Sequence, residues 1–151
     1  MDRPHSSLLR RGRLSEPGRI YLLTTVTRSR QPFFQFLRPA RAVVQQLRHA
    51  EEEQSCRSLA WVVMPDHLHR LIELRTGTLG ALMRRFKSRT SHALYQTGGG
   101  TGRIWQPGYQ DRAIRREEDV QAVARYIVSN PLRAGLVGSV REYSHWDAVW
   151  L

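Results

Sequence analysis

At 151 residues the chain has the length of one domain with a single core, too short for two independent ones. Its 24 Lys and Arg against 13 Asp and Glu leave a formal charge of +11, a balance that points to a polyanionic partner, nucleic acid first. The lone cysteine, Cys56, excludes an intrachain disulfide and a four-cysteine zinc site, and no apolar run approaches the ~20 residues of a bilayer span. The N-terminal stretch has no apolar segment of the signal-peptide kind, so a reducing cytoplasm is the expected location. Nearly all the positive charge is arginine, with Lys87 the only lysine. Arginine's planar fork suits bidentate contact with phosphate and guanine.

Residues 1–18 are basic and punctuated by Pro4, Gly12 and Pro17, which reads as an irregular arm ahead of a domain over 19–151. "IYLLTTVT" (20–27) is β-branched and aromatic, a strand. Pro39 opens a helix to about Glu53, with Ala40, Val43, Val44 and Leu47 on one face. "SLAWVVM" (58–64) and "HLHRLIEL" (67–74) are two strands joined at Pro65-Asp66, an antiparallel hairpin. From Thr78 a second helix lines up Leu79, Leu82, Met83, Phe86 and Leu94, and leaves Arg84, Arg85, Lys87 and Arg89 on its other side.

"TGGGTG" (97–102) breaks that helix, and residues 109–115 read as a fourth strand. Glu117, Glu118 and Asp119 favour a helix start electrostatically, and Val120, Val123, Ala124 and Ile127 form the buried stripe of a third helix that Asn130-Pro131 stops. The tail from Leu132 to Leu151 ends in a short packed segment. The order strand, helix, strand, strand, helix, strand predicts an α+β fold of the ferredoxin-like, split βαβ kind: an antiparallel four-stranded sheet with two helices on one face. The additional helix, which bears Tyr126, is then free to dock on the other face.

In the third strand, His67 and His69 alternate onto one side about 7 Å apart along the chain, where two imidazoles can share a metal or stand as solvated polar residues. On the third helix Tyr126 flanks the apolar stripe and Asn130 follows at i+4, so a phenol and a carboxamide share an edge. Tyrosine can act as a covalent nucleophile and Asn can add an oxygen ligand to a metal. Tyr109 is the rival nucleophile, disfavoured by its loop context "GYQD". Trp105 and Tyr109 can each serve as a base-stacking ring or as core. Arg70, between the two strand faces' apolar runs, faces the core side with Leu68 and Ile72 and is expected to reach out at the sheet edge.

Three blocks, "WVVMPDHLHRLIEL" (61–74), "IWQPGYQDRAIRREED" (104–119) and "VARYIVSNPLRAGLV" (123–137), together resemble the single-tyrosine transposases of the HUH endonuclease superfamily, and within it the REP-associated tyrosine transposases of bacteria. The resemblance runs from about Ile20 to Trp146 and implies a ferredoxin-like core whose sheet floors the active site. It implies that His67 and His69 bind a divalent metal, Mg²⁺ or Mn²⁺, that Asn130 completes the ligand set, and that Tyr126 is the nucleophile. The activity implied is DNA transposition: nicking and rejoining of single-stranded DNA at palindromic hairpins through a 5′-phosphotyrosine, in the bacterial nucleoid. Arg84, Arg85, Arg89, Arg112, Arg115, Arg116 and Arg133 are the candidates for the DNA backbone. The protein could work as a monomer or as a homodimer. Two other readings stay open: a domesticated module that binds structured DNA without cutting it, and a metal-dependent hydrolase that uses the H-x-H pair with activated water.

Overall fold

The computed structural model describes residues 15–98, 102–115 and 119–150. Most of the basic arm, the centre of the glycine run and Arg116 lie outside the described residues. Strand β1 (Ile20–Val26) leads through two 3₁₀ turns into helix α1 (Leu37–Glu52). The hairpin β2 (Cys56–Met64) and β3 (His67–Leu74) follows, then helix α2 (Leu79–Gln96) and strand β4 (Gln110–Ala113). Helix α3 (Val120–Val128), a four-residue turn of helix α4 (Asn130–Arg133) and strand β5 (Trp146–Ala148) complete the order.

Local chemistry accounts for these boundaries. Thr78 caps α2 by accepting from the Ala81 amide at 3.1 Å, and Asp119 caps α3 by accepting from the Ala122 amide at 3.1 Å. Asn130-Pro131 does not stop the helical course as the sequence suggests. Ser129 interrupts it, and Pro131 sits in the first turn of α4, where its missing N–H costs no helical bond.

The sheet has the order β4-β1-β3-β2-β5 with every pair antiparallel. Four of these strands make the split βαβ core that the periodicities predict. The fifth is a correction: Trp146 and Ala148 pair with Val62 and Ala60, adding β5 to the outer edge of β2. Tyr143 donates its hydroxyl to the Val63 carbonyl at 2.5 Å and the Val63 amide donates to the His145 carbonyl, which fasten the tail in place.

Alternation along β1, β2 and β3 sorts the residues into two cores. Tyr21, Leu23, Trp61, Val63, Leu68 and Ile72 pack under α1 and α2. Val62, Met64 and Leu71 face the other way and pack against Ala124, Ile127 and Val128 of α3. The additional helix therefore lies on the face that carries His67 and His69, as the sequence predicts.

Arg70 departs from expectation. Because β3 is the central strand, there is no edge for its side chain to reach, and it is 1% exposed. Its guanidinium lies over the Phe86 ring at 4.8 Å and donates to Cys56 Sγ at 3.8 Å, while Nε and Nη1 have no hydrogen-bond partner among the described residues. Trp105 is also core: its ring packs 5.3 Å from Phe34 and 5.8 Å from Phe86, and its N–H donates to Thr90. Tyr109 packs half-buried against the same core.

Candidate active site

The site is assembled at one end of the sheet. β1 ends where β3 begins, with Val26 opposite His67 and Thr24 opposite His69, so both imidazoles stand at the mouth of the central strand pair. Their ring centroids are 4.9 Å apart, nearly perpendicular. Each Nδ1 is already engaged. That of His67 donates to Asp66 Oδ1 at 2.7 Å, and that of His69 lies 2.9 Å from Thr24 Oγ1. The Asp66 carboxylate fixes a proton on His67 Nδ1 and leaves that ring's Nε2 lone pair for a ligand, the arrangement that outer-shell partners impose on metal-binding histidines, while the Thr24 hydroxyl holds the His69 ring through its Nδ1.

The electrostatics favour a neutral His69. Burial first, then the electrostatic influence of His67 and Arg133, push its pKa down to about 4, so near neutral pH His69 is a neutral imidazole. Burial pulls the Asp66 carboxyl upward, but the hydrogen bond from His67 and the adjacent Arg30 outweigh it and hold the group below the usual carboxylate value. Asp66 is thus an anion that hydrogen-bonds His67 through one oxygen and accepts from Arg30 Nε at 3.0 Å through the other.

Tyr126 and Asn130 arrive from α3 and α4, which cover the same face. Tyr126 projects outward and is 63% exposed. Arg133 ties it down: its guanidinium carbon lies 3.8 Å from the ring centroid, and Nη1 donates to the Tyr126 carbonyl at 2.6 Å and to the Ser129 hydroxyl. Since the same guanidinium acts on His69, the tyrosine and the imidazole pair share one electrostatic neighbourhood. Asn130 is half-buried, and its carbonyl accepts the Ala134 amide. No hydrogen bond joins Tyr126 or Asn130 to either imidazole. Among the described residues, no group of three or more His, Cys, Asp or Glu is placed to hold a metal ion.

A sequence model of the family described as "Transposase IS200 like" matches residues 19–130, which contain the histidine pair, Tyr126 and Asn130. The chain belongs to this family. The chain is also 32% identical over 105 residues to the REP-associated tyrosine transposase of Escherichia coli (strain K12). The match covers 66% of this chain and spans 61% of that relative's length. Among solved structures, that of a REP-associated tyrosine transposase bound to a REP hairpin aligns with a TM-score of 0.70 and 26% identity, covering 89% of this chain and 79% of the other. A candidate transposase from Deinococcus radiodurans aligns over 79% of this chain and 95% of its own at a TM-score of 0.56 and 19% identity, a likeness of fold.

In this member of the IS200-like family the arginines named from sequence divide by layer. Arg133 lies at the site, and Arg112, opposite Leu22 in β4, is on the histidine face of the sheet. Arg115 follows it, exposed, just beyond the strand. Arg84, Arg85 and Arg89 belong to α2, in the layer beneath the other face, and do not converge on the histidines. Arg89 there forms a bidentate pair with Glu53, both bonds at 2.8 Å. Three supporting residues escape a sequence reading: Thr24, Asp66 and Arg30. Asp66 adjoins the H-x-H pair, and that adjacency is the one local signal for it; Thr24 and Arg30 come from β1 and its turn and are brought there only by strand pairing.

Proposed function

We propose that this chain is a metal-dependent transposase that cleaves and rejoins single-stranded DNA at repetitive palindromic hairpins, with Tyr126 as the nucleophile. The observation that carries the reading is the placement of a tyrosine-bearing helix over the face where two imidazoles stand with their Nδ1 atoms engaged. Family membership and a relative whose structure holds a REP hairpin support the substrate class.

His67 and His69, with Asn130, would hold a divalent ion, Mg²⁺ or Mn²⁺; the two imidazole nitrogens suit Mn²⁺ better, and the carboxamide oxygen suits either. When bound, the ion supplies Lewis-acid neutralisation of charge on the scissile phosphate. Asp66 and Thr24 hold the two rings in orientation, and Arg133 brings a fixed positive charge to the tyrosine and to an incoming phosphate.

In the cleavage step the Tyr126 phenol gives up its proton and its oxygen bonds to phosphorus, while the bond from phosphorus to the 3′ oxygen breaks. That oxygen leaves with a proton as a free 3′-hydroxyl, and the 5′ phosphate stays on the tyrosine. Attack by another 3′-hydroxyl reverses the step and restores the phosphodiester, so no nucleotide cofactor is consumed. The exposure of Tyr126 suits this role, because a strand can reach it from solvent.

The test is incubation of labelled single-stranded DNA carrying a palindromic repeat with Mn²⁺ or Mg²⁺, resolved on a denaturing gel beside Tyr126→Phe. A protein-linked 5′ product that disappears in the variant and on chelation is the expected result. Cleavage that persists in Tyr126→Phe means metal-activated water or Tyr109, and binding without cleavage in the wild type means the non-catalytic DNA-binding reading.

A further inference from the structure

We propose that Gln110 is a positioning residue of the site: its carboxamide oxygen accepts the Thr24 hydroxyl proton, so that Thr24 in turn accepts from His69 Nδ1 and the His69 Nε2 lone pair is left for an ion. The inference rests on reading His67 and His69 as a metal-binding pair.

The two imidazoles are held by groups of different kinds. Asp66 is a carboxylate and can only accept, so one contact fixes the proton on His67 Nδ1. Thr24 offers a hydroxyl, 2.9 Å from His69 Nδ1, and a hydroxyl both donates and accepts. If it donates, the ring's proton sits on Nε2 and that nitrogen is closed to a metal; if it accepts, Nε2 is open. Because His69 is neutral near neutral pH, the choice of tautomer decides whether it can be a ligand. A further group must take the Thr24 proton to settle that choice.

Strand pairing supplies it. Thr24 stands opposite His69 on one side and opposite Gln110 on the other, so His69, Thr24 and Gln110 form one row across β3, β1 and β4. Alternation sets all three on one face: Ala113 packs with the α1/α2 core opposite Tyr21, and Gln110, three residues earlier, turns to the histidine side. Directly opposed residues have Cβ atoms about 4.5–5.5 Å apart, a gap that a glutamine side chain spans. Leu22 and Val26 flank Thr24 on β1 and are apolar, and Arg112 beside Gln110 can only donate, which leaves Gln110 as the side-chain oxygen next to Thr24. Among the described residues the Thr24 hydroxyl bonds only His69 and the exposed Gln110 side chain bonds nothing, so both partners of the contact are available.

The backbone that delivers Gln110 is anchored. The Gln106 amide donates to the Val26 carbonyl, and Lys87, the one lysine, donates from Nζ to the Gln106 and Gly108 carbonyls at 3.0 and 2.5 Å. These bonds fasten the lead into β4 against the end of β1 that faces His67. Support of that kind keeps an orienting side chain in register with the ligand it serves.

The experiment uses the full, metal-free chain with isotope-labelled histidine nitrogens. It reads the tautomer of each ring by NMR near neutral pH, and then Mn²⁺ binding by calorimetry. In the parent both rings are expected to carry the proton on Nδ1. Gln110→Leu should move His69 mainly to the Nε2–H form and weaken Mn²⁺ binding about 10–100-fold, as when the outer partner of a ligand is removed. His67, set by Asp66, should keep its tautomer in the same sample and so report that the sheet is intact. Gln110→Glu, which can only accept, should behave as the parent does. In a Thr24→Val background Gln110→Leu should change nothing further, because the relay is already cut.

An unchanged His69 tautomer in Gln110→Leu, a parent already in the Nε2–H form, or an equal shift of His67 would overturn the proposal. If the tautomers respond as stated and the parent takes up no Mn²⁺, the relay holds and the metal reading of the pair fails. If the parent binds Mn²⁺ and the tautomers do not respond, the relay alone is wrong.

Discussion

On one side of the sheet Leu23, Trp61, Val63, Leu68 and Ile72 disappear beneath α1 and α2. On the other, the same three strands present Thr24, His67 and His69, half open, while the helix that covers that side leaves Tyr126 63% exposed. A shift of one residue along a strand thus separates a position that holds the fold together from one that holds chemistry. Arg70 is the exception, a polar group set into the stabilising side with two donors unpartnered among the described residues. If the division is real, substitutions should sort by face: loss of activity with little loss of stability on one, the reverse on the other.

The largest effect is expected for His67→Ala/His69→Ala, which should lower strand cleavage at least about 10³-fold, as when residues acting as a unit are removed. Its melting temperature should fall less than that of Leu68→Ala, and a double variant that melts lower would break the comparison. On the opposite face, Leu68→Ala empties a fully buried site between β3 and the helices. It should cost about 2–5 kcal/mol in denaturant unfolding, with cleavage per folded molecule unchanged.

Between these lies Asp66→Ala, which removes the acceptor on His67 Nδ1 without touching a proposed ligand. A drop of about 10–100-fold in Mn²⁺ affinity by calorimetry is expected, with Asp66→Asn recovering part of it; unchanged affinity would show that His67 needs no orienting partner. Acid should probe the same face. The His69 value of about 4 lies below the 6.5 of an unfolded chain, so between those limits the unfolded state binds more protons. The stability of the metal-free protein is therefore intact above about pH 6.5 and falls as pH drops toward 4, and His69→Asn should flatten that slope. The smallest change is expected from Arg70→Met, which fills similar space and removes a buried charge lacking a carboxylate partner. It should raise stability by about 1 kcal/mol; a loss would mean the guanidinium earns more from Phe86 and Cys56 than its desolvation costs.

Much of this arrangement is legible in the residue order because it depends on local signals. The period-two runs of β1, β2 and β3, the Thr78 and Asp119 caps and the Pro65-Asp66 turn each act within a few residues. What depends on pairing between distant segments is not. β5 is three residues long and becomes a strand only by lying against Ala60 to Val62. The depth of Arg70 follows from β3 being central, which a run of alternating residues does not state. The helix pattern showed that Arg84, Arg85 and Arg89 face away from the apolar stripe, but not that α2 lies in the layer opposite the histidines. His67 and His69 were legible as a pair because alternation alone puts them together, whereas Thr24, which backs His69, is supplied by a strand 45 residues earlier.

The most direct measurement is peptide mapping by mass spectrometry of the protein after reaction with a single-stranded palindromic repeat in Mn²⁺. A nucleotide adduct confined to the peptide that contains Tyr126 is what the account requires. Cleaved DNA with no adduct, or an adduct on Tyr109, would contradict it.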